Sequence, residues 1–387
     1  LRNVWQGLRE MVHYHVVDHP ILGEMGQSAV LIFVGLFLLS STAGILNGRY
    51  WVARETLAHQ EFERASGLNA QGLHEKALRH LRAAFHLEHK NREYQMALTL
   101  TLIQLERYDE ARIQLDDILR ADPTNAPANL LLARIAAAKG ASDMDSAIQY
   151  YQRAIYGLWP DDPLRHRIDT RFEFAHFLAS EERVEELRAE LIILASDIRD
   201  DLGQLLDAGY LMLFARAPSQ AETVFTRALG RDPRNAEALA GLGKAQLESG
   251  NFAASEQTLL RAVRANPRNE EIRKQLALVQ EIRALNPKRR GLGIFLSARR
   301  ARHLVEVTHA RLMACADPKS LPPEALEDLA TASALLDTGR RGAPEPGSID
   351  RNIALAIRLF HDGSDFCVNP GTNPAVEHLS RALAVEQ

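Results

Sequence analysis

The chain is poor in cysteine, lysine, aromatic residues and net charge. Two cysteines in 387 residues, Cys315 and Cys367, lie 52 positions apart. They provide no disulfide framework, no paired thiol set for zinc and no haem-attachment pair, so redox chemistry has no foothold. Lys+Arg of 46 against Asp+Glu of 50 leaves a net charge of -4, which exerts no global pull on a polyanion and disfavours a general nucleic-acid binder. Only 7 of the 46 cations are lysine; a GC-rich genome explains the arginine excess as readily as a binding role does. Catalytic motifs are also missing. Gly291 and Gly293 begin a GxG, but Leu296 stands where a third glycine belongs, and there is no phosphate loop, GxSxG elbow or HExxH pair. The reading is of a chain that is no enzyme, with no cofactor, no metal site and no small-molecule substrate. With 46% hydrophobic and 25% charged residues, what is present is an ordinary globular mixture, long enough for two or three domains.

One stretch departs from that mixture. Ala29 to Leu46 reads AVLIFVGLFLLSSTAGIL, and no charge falls between Glu24 and Arg49, a gap of 24 residues. As a helix this reaches roughly 36 Å, more than the ~30 Å hydrocarbon layer of a bilayer. A buried core helix would show a polar edge, and a cleavable signal peptide is disfavoured by the long mixed-charge stretch before the run. The expectation is a single transmembrane helix over 28–48 behind a juxtamembrane segment over 1–27, with Tyr50 and Trp51 at headgroup level. Asp18 and Glu24 precede the run while Arg49 and Arg54 follow it. This charge bias points the C-terminal part of a bacterial inner-membrane protein toward the cytoplasm, with a periplasmic placement as the alternative. Ser40, Gly44 and Gly48 form a small-residue stripe that admits a second membrane helix. His13, His15 and His19 cannot share one helical face, so an interfacial segment is preferred there over a metal site.

A second pattern fills the middle of the chain. A small residue recurs at Ala65, Thr99, Ala133, Ala175, Gly209, Gly243 and Ala277, at intervals of 34, 34, 42, 34, 34 and 34. Further in-phase positions follow at Ala77, Ala111, Ala147, Leu187, Ala221 and Ser255, and at Ala84, Ile118, Ala154, Leu194, Ala228 and Ala262. Larger apolar residues lie between them at Leu81, Leu115, Tyr151, Leu191, Phe225 and Leu259. Small residues where two helices cross, with large ones beside them, are what packed helical hairpins require. The one long interval is absorbed by Gly140–Ser142 and by the loop at 159–166. Asp122-Pro123, Asp232-Pro233 and Asn266-Pro267 end repeats where proline halts a helix. The unit at 236–269, with Leu239, Leu242, Gly243, Gly250, Phe252, Leu259, Ala262 and Pro267, resembles the tetratricopeptide repeat family, although Ser255 replaces its usual alanine and Gln246 its usual tyrosine.

The resemblance covers 58–286, as six repeats plus a seventh first helix, and suggests a bacterial membrane-anchored member. It implies an all-α fold, a right-handed α-solenoid of helical hairpins, with an irregular helical capping or docking region over 287–387. It also implies a partner groove on the first helices, at Met96, Leu100 and Ile103 and again at Leu206, Tyr210, Leu213 and Phe214. These apolar residues suit an amphipathic helix or an extended apolar segment. Arg134 and Lys244 are isolated, which puts the family's carboxylate clamp in doubt. From Arg283 to His303 the chain carries Arg283, Lys288, Arg289, Arg290, Arg299, Arg300 and Arg302 without one acid. Such a patch would gain about 1 kcal/mol per well-placed cation at anionic headgroups; its alternative is a solvated face paired with acids elsewhere. The functional expectation is a membrane-anchored interaction scaffold, assembly factor or accessory subunit. Its partners would be other proteins, chiefly membrane-complex subunits, and the lipid bilayer. The alternatives are an envelope chaperone-like factor and, more remotely, an RNA-associated repeat protein.

Overall fold

The computed structural model describes residues 20–199, 201–315, 321–337, 344–367 and 373–385, with the side chains of 20–35, 38, 41–47 and 141 outside that description. Among the described residues there is no β-strand; one isolated bridge joins Asn125 to Leu158. The chain divides into two compact units, one ending at Trp159 and the other beginning at Pro160. The boundary falls in the loop that the repeat phase marks as an insertion.

The first unit contains α1 (Pro20–Ala70), α2 (His74–Leu87), α3 (Arg92–Gln104), α4 (Tyr108–Ala121), α5 (Ala126–Ala138) and α6 (Met144–Tyr156), with a short 3-10 turn at Gly140–Asp143. The C-terminal part of α1 pairs with α2, α3 with α4, and α5 with α6. Among the described residues no helix is long and apolar enough to cross a membrane. The 29–46 run is helical within α1, with most of its side chains outside the description; Leu36, Phe37 and Leu39 are inside it and are 60%, 71% and 67% exposed. The segment before Pro20, with His13, His15 and His19, lies outside the described residues.

The second unit contains α7 (Pro163–Ser180), α8 (Val184–Asp197), α9 (Leu202–Phe214), α10 (Pro218–Arg231), α11 (Ala236–Glu248), α12 (Phe252–Ala265) and α13 (Glu270–Leu285). Four further helices follow: α14 (Ile294–Cys315), α15 (Pro323–Asp337), α16 (Ser348–Phe366) and α17 (Pro374–Val385). Hairpins α7–α8, α9–α10 and α11–α12 stack along the unit, and α13 packs on α12.

The periodic positions are the core of both units. Ala77, Ala111, Ala147, Leu187, Ala221 and Ser255 are all 0% exposed, and the large residues from Leu81 to Leu259 are at most 3% exposed. The closest approach centres on Phe225, whose ring lies between the first helices of two repeats. A Cβ added at Gly209 would stand 2.6 Å from the ring and one added at Gly241 only 2.3 Å. Ser255 is tolerated at an alanine position because its hydroxyl donates to the Gly243 carbonyl at 2.6 Å, which removes the cost of burying it unpaired.

Each hairpin turn repeats one backbone feature. Gly72, Gly140 and Gly250 adopt positive φ, and the equivalent places in the other three repeats are Glu106, Glu182 and Arg216, with φ of 57°, 55° and 53°. First helices begin on a polar cap. Asn91, Asn125, Asp162, Asp201, Asn235 and Asn269 each accept backbone N–H groups of the first turn.

The period stops at α13. Ala277 carries the in-phase small position but is exposed, because no second helix folds back on it. Ile272, Val279 and Ile282 are buried instead, in a core shared with Leu304, Leu312, Ile353, Leu379 and Leu383 of the tail. The C-terminal helices therefore close the last repeat with apolar surface. Asn373 caps α17 through Ala375 N at 2.8 Å and also donates to Glu281 Oε1 of α13 at 3.0 Å.

One sequence expectation is overturned here. The wide spacing of the two cysteines gives redox chemistry no foothold, yet Cys315 and Cys367 are joined in a disulfide with Cα atoms 5.3 Å apart. Each sits at or just beyond the C-terminal end of a packed helix, α14 or α16, so a long separation in sequence becomes a short one in space.

Candidate functional site

The second unit contains a cavity of about 900 Å³ between its hairpin ends and α17. Leu213, Phe214 and Leu247 supply apolar surface from the C-terminal ends of α9 and α11, and His378, Arg381, Ala382 and Val385 line it from α17. Leu213 is buried, whereas Phe214 is 50% exposed. A ring half in water at a helix end is the sort of contact a partner side chain covers.

The polar lining is mixed. Arg216, Glu248, His378 and Arg381 all line the cavity. Arg381 Nη2 reaches Glu377 Oε1 at 2.6 Å across one helical turn. Burial lowers the His378 pKa; Glu377 opposes this, while Arg381 and Lys244 add to it. The fold therefore favours the neutral imidazole over the charged one. Arg216 reaches the cavity from a left-handed backbone conformation that three other repeats give to glycine, an arrangement that costs about 1 kcal/mol and sets a long cation at the tip of the turn.

The expected groove residues separate into distinct environments. Leu213 and Phe214 line the cavity. Tyr210 is turned to structure: its ring meets Phe225 edge-on at 5.2 Å, its hydroxyl donates to the Glu237 carbonyl at 3.3 Å, and burial, with Glu237 adding, pushes its pKa up to about 12. Leu206 is half-buried on the same helix. In the first unit Met96 and Ile103 pack against the core that includes Leu98 and Leu102, leaving Leu100 exposed. Sequence reasoning missed Arg216, Leu247, His378 and Arg381. Arg216 lay in a turn without a glycine, and the α17 residues lie beyond the repeats, where no period assigns them a face.

The basic run divides in two. Arg283 pairs with Glu256 on α12, Arg300 Nη1 donates to the Arg283 and Asn286 carbonyls at 3.1 Å each, and Arg302 Nη2 donates to the Leu336 carbonyl at 2.7 Å. The first ties α13 to α12, and the other two hold α14 to its neighbours. Lys288, Arg289, Arg290 and Arg299 are exposed, beside Ile294 and Phe295 at 56% and 65%. Near the start of the repeats, Arg54 Nε donates to the Leu87 carbonyl at 2.5 Å and its guanidinium lies 4.9 Å from the Trp51 ring centroid. Of the small-residue stripe expected from the sequence, Ser40 and Gly48 are exposed and Gly44 lies outside the described surface. Among the described residues no group of three or more His, Cys, Asp or Glu is arranged to hold a metal ion.

No curated protein matches the chain. Among solved structures, the C-terminal part of a tetratricopeptide-repeat protein from Cytophaga hutchinsonii is 12% identical, covering 82% of this chain and 99% of that one at a TM-score of 0.42. PilW, a type IV pilus biogenesis factor, is 16% identical over 57% of this chain and 98% of its own, with a TM-score of 0.37. The pilF protein of Pseudomonas aeruginosa is 17% identical over 51% and 93%, with a TM-score of 0.31. One tetratricopeptide repeat profile matches residues 62–126 and 97–163, and a second matches 213–280. Tetratricopeptide repeat profiles thus match a segment of each compact unit.

Proposed function

We propose that this protein is a membrane-anchored interaction scaffold, an assembly factor or accessory subunit that holds another protein in the cavity of its second unit. The observation that carries the reading is the half-exposed Phe214 beside Leu213 and Leu247 in a cavity large enough for several side chains, whose lining also includes Arg216, Glu248, His378 and Arg381. An amphipathic helix or short apolar segment with a polar edge fits that lining. The chemistry is binding, with no catalytic step.

The anchor is the helix at 28–48. Its support is the uncharged run itself, the exposure of Leu36, Phe37 and Leu39 on α1, and the exposed Tyr50 and Trp51 directly after it. Apolar side chains left uncovered along one helix are stable in lipid and costly in water. Ser40, Gly44 and Gly48 offer a face to a partner membrane helix. Arg289, Arg290 and Arg299, with Ile294 and Phe295 between them, suit contact with anionic headgroups. Affinity purification of the full chain in mild detergent tests the reading. Co-recovery of a defined protein, lost on Phe214→Glu, is expected; recovery of the chain alone from native membranes contradicts it.

A further inference from the structure

We infer that the Cys315–Cys367 pair is a substrate for thiol–disulfide exchange with a protein disulfide oxidant, and that its oxidation staples the wall of the partner cavity on the oxidising side of the membrane. The chain has only two cysteines, and the fold brings them together. Their Cα separation of 5.3 Å lies inside the range of about 4.4–6.8 Å that a disulfide bridges without backbone movement.

The meeting is built by the register of two helices. Arg311 of α14 lies 4.8 Å from the Phe360 ring of α16 and approaches Gly363, and one turn further along α14 Cys315 meets Cys367. The contacts advance together along both helices, so α14 and α16 run in the same direction and finish side by side. α15 is tied to this pair by the bidentate Arg358–Asp328 contact at 2.7 and 2.9 Å and by Arg302 to the Leu336 carbonyl. The bond thus closes a 52-residue loop containing α15 and α16, at the point where the chain leaves for α17. Because α17 walls the cavity, the bond fixes one end of the segment that positions that wall.

Both sulfur-bearing residues are half-buried, which leaves room for a mixed disulfide. One cysteine thiolate attacks a sulfur of the oxidant's disulfide, and the other then attacks the mixed disulfide. The new S–S bond forms as two electrons pass to the oxidant, which leaves as a dithiol, and the protons of the two cysteine thiols are released and taken up in balance. A glutathione-poised cytosol keeps such a pair reduced, whereas the cell envelope supplies the oxidant class. The second unit accordingly lies on the side opposite to the one suggested by Arg49 and Arg54. That charge signal rests on two arginines alone.

The test is thiol trapping of the full chain, expressed from its own signals and quenched in acid before a maleimide reagent is added. The expected result is no labelling before reduction and two labels per chain after it. Direct labelling of both cysteines overturns the proposal, whether or not a partner co-purifies, so this failure is distinct from failure of the scaffold reading. A second measurement covers the staple. Reducing the purified protein is expected to raise cleavage between α14 and α17 by about tenfold or more while the repeats stay resistant. An unchanged digestion rate overturns it. Cys315→Ser is expected to leave Cys367 open to labelling without reduction, and protection of Cys367 in that variant also counts against the pair.

Discussion

Gly241→Ala separates packing from helix propensity. Alanine in place of glycine inside an exposed helix stabilises by about 0.5–1 kcal/mol, and a propensity argument applied to α11 gives that sign. The structure reverses it. The added Cβ would lie 2.3 Å from two ring atoms of Phe225, a side chain that is 0% exposed. The ring cannot simply retreat, since Gly209 lines its other side and an added Cβ there would stand 2.6 Å away. Overpacking a filled core costs about 1–3 kcal/mol. Against the propensity gain, Gly241→Ala is expected to destabilise by about 1 kcal/mol net. Gly67→Ala on α1 is the control, because its added Cβ meets nothing within 4 Å; it is expected to stabilise by about 0.5–1 kcal/mol. Phe225→Leu alone leaves a void, whereas combined with Gly241→Ala the new methyl fills it. The two changes are expected to couple favourably by 1–2 kcal/mol, on the order seen for contacting residues. Urea unfolding of the full chain followed by far-UV circular dichroism measures the four variants against the unsubstituted protein. Equal stabilisation by Gly241→Ala and Gly67→Ala would refute the account of how the repeats pack.

Four further outcomes follow from particular residues. Glu106→Gly, Glu182→Gly and Arg216→Gly relieve positive φ and are each expected to stabilise by about 1 kcal/mol in thermal unfolding, with only Arg216→Gly altering partner recovery. Arg171 is 3% exposed and engages Glu190 and, at 3.1 Å, Asp197; Arg171→Ala strands two carboxylates and is expected to cost about 3–5 kcal/mol by the same assay. The lowered His378 pKa means that the folded state disfavours protonation. Its contribution is present above the unfolded value of about 6.5 and is lost as pH falls through the folded value, so the hydrogen-exchange protection factors of α17, corrected for the intrinsic pH dependence of exchange, are expected to fall below about pH 6.5 and to lose that fall in His378→Gln. Reduction of the disulfide, which closes 52 residues, is expected to lower the stability of the α14–α17 region by up to about 4 kcal/mol in denaturant unfolding, with loop closure as the cause.

The hairpin core was legible because it rests on local periodicity. Ala77, Ala111 and Ala221 announce helix crossings in sequence and are completely buried in the fold. Proline and asparagine at 123–125, 233–235 and 267–269 announce the turns, and the caps form there. What escaped has its cause far along the chain or lacks its usual residue. Glu106, Glu182 and Arg216 occupy left-handed turns without the glycine that signals one. Arg171 is a charged residue made tolerable inside by two carboxylates on the following helix. Arg283, Arg300 and Arg302 read as a charge run, while a distant glutamate and three carbonyls occupy them. The cavity combines repeat helices with α17, across an interval that carries no period, so sequence gave Leu213 and Phe214 but neither His378 nor Arg381. Ala277 shows the converse: the period continues one helix beyond the packing that gives it meaning.

The most direct test of the scaffold reading is photo-crosslinking in living cells, with a photoreactive residue placed at Phe214 in the cavity or at the exposed Ile192 on α8. The account expects a discrete protein adduct from position 214 that disappears with Arg216→Glu, and none from position 192. No adduct at 214, or the same adducts from both positions, would contradict it.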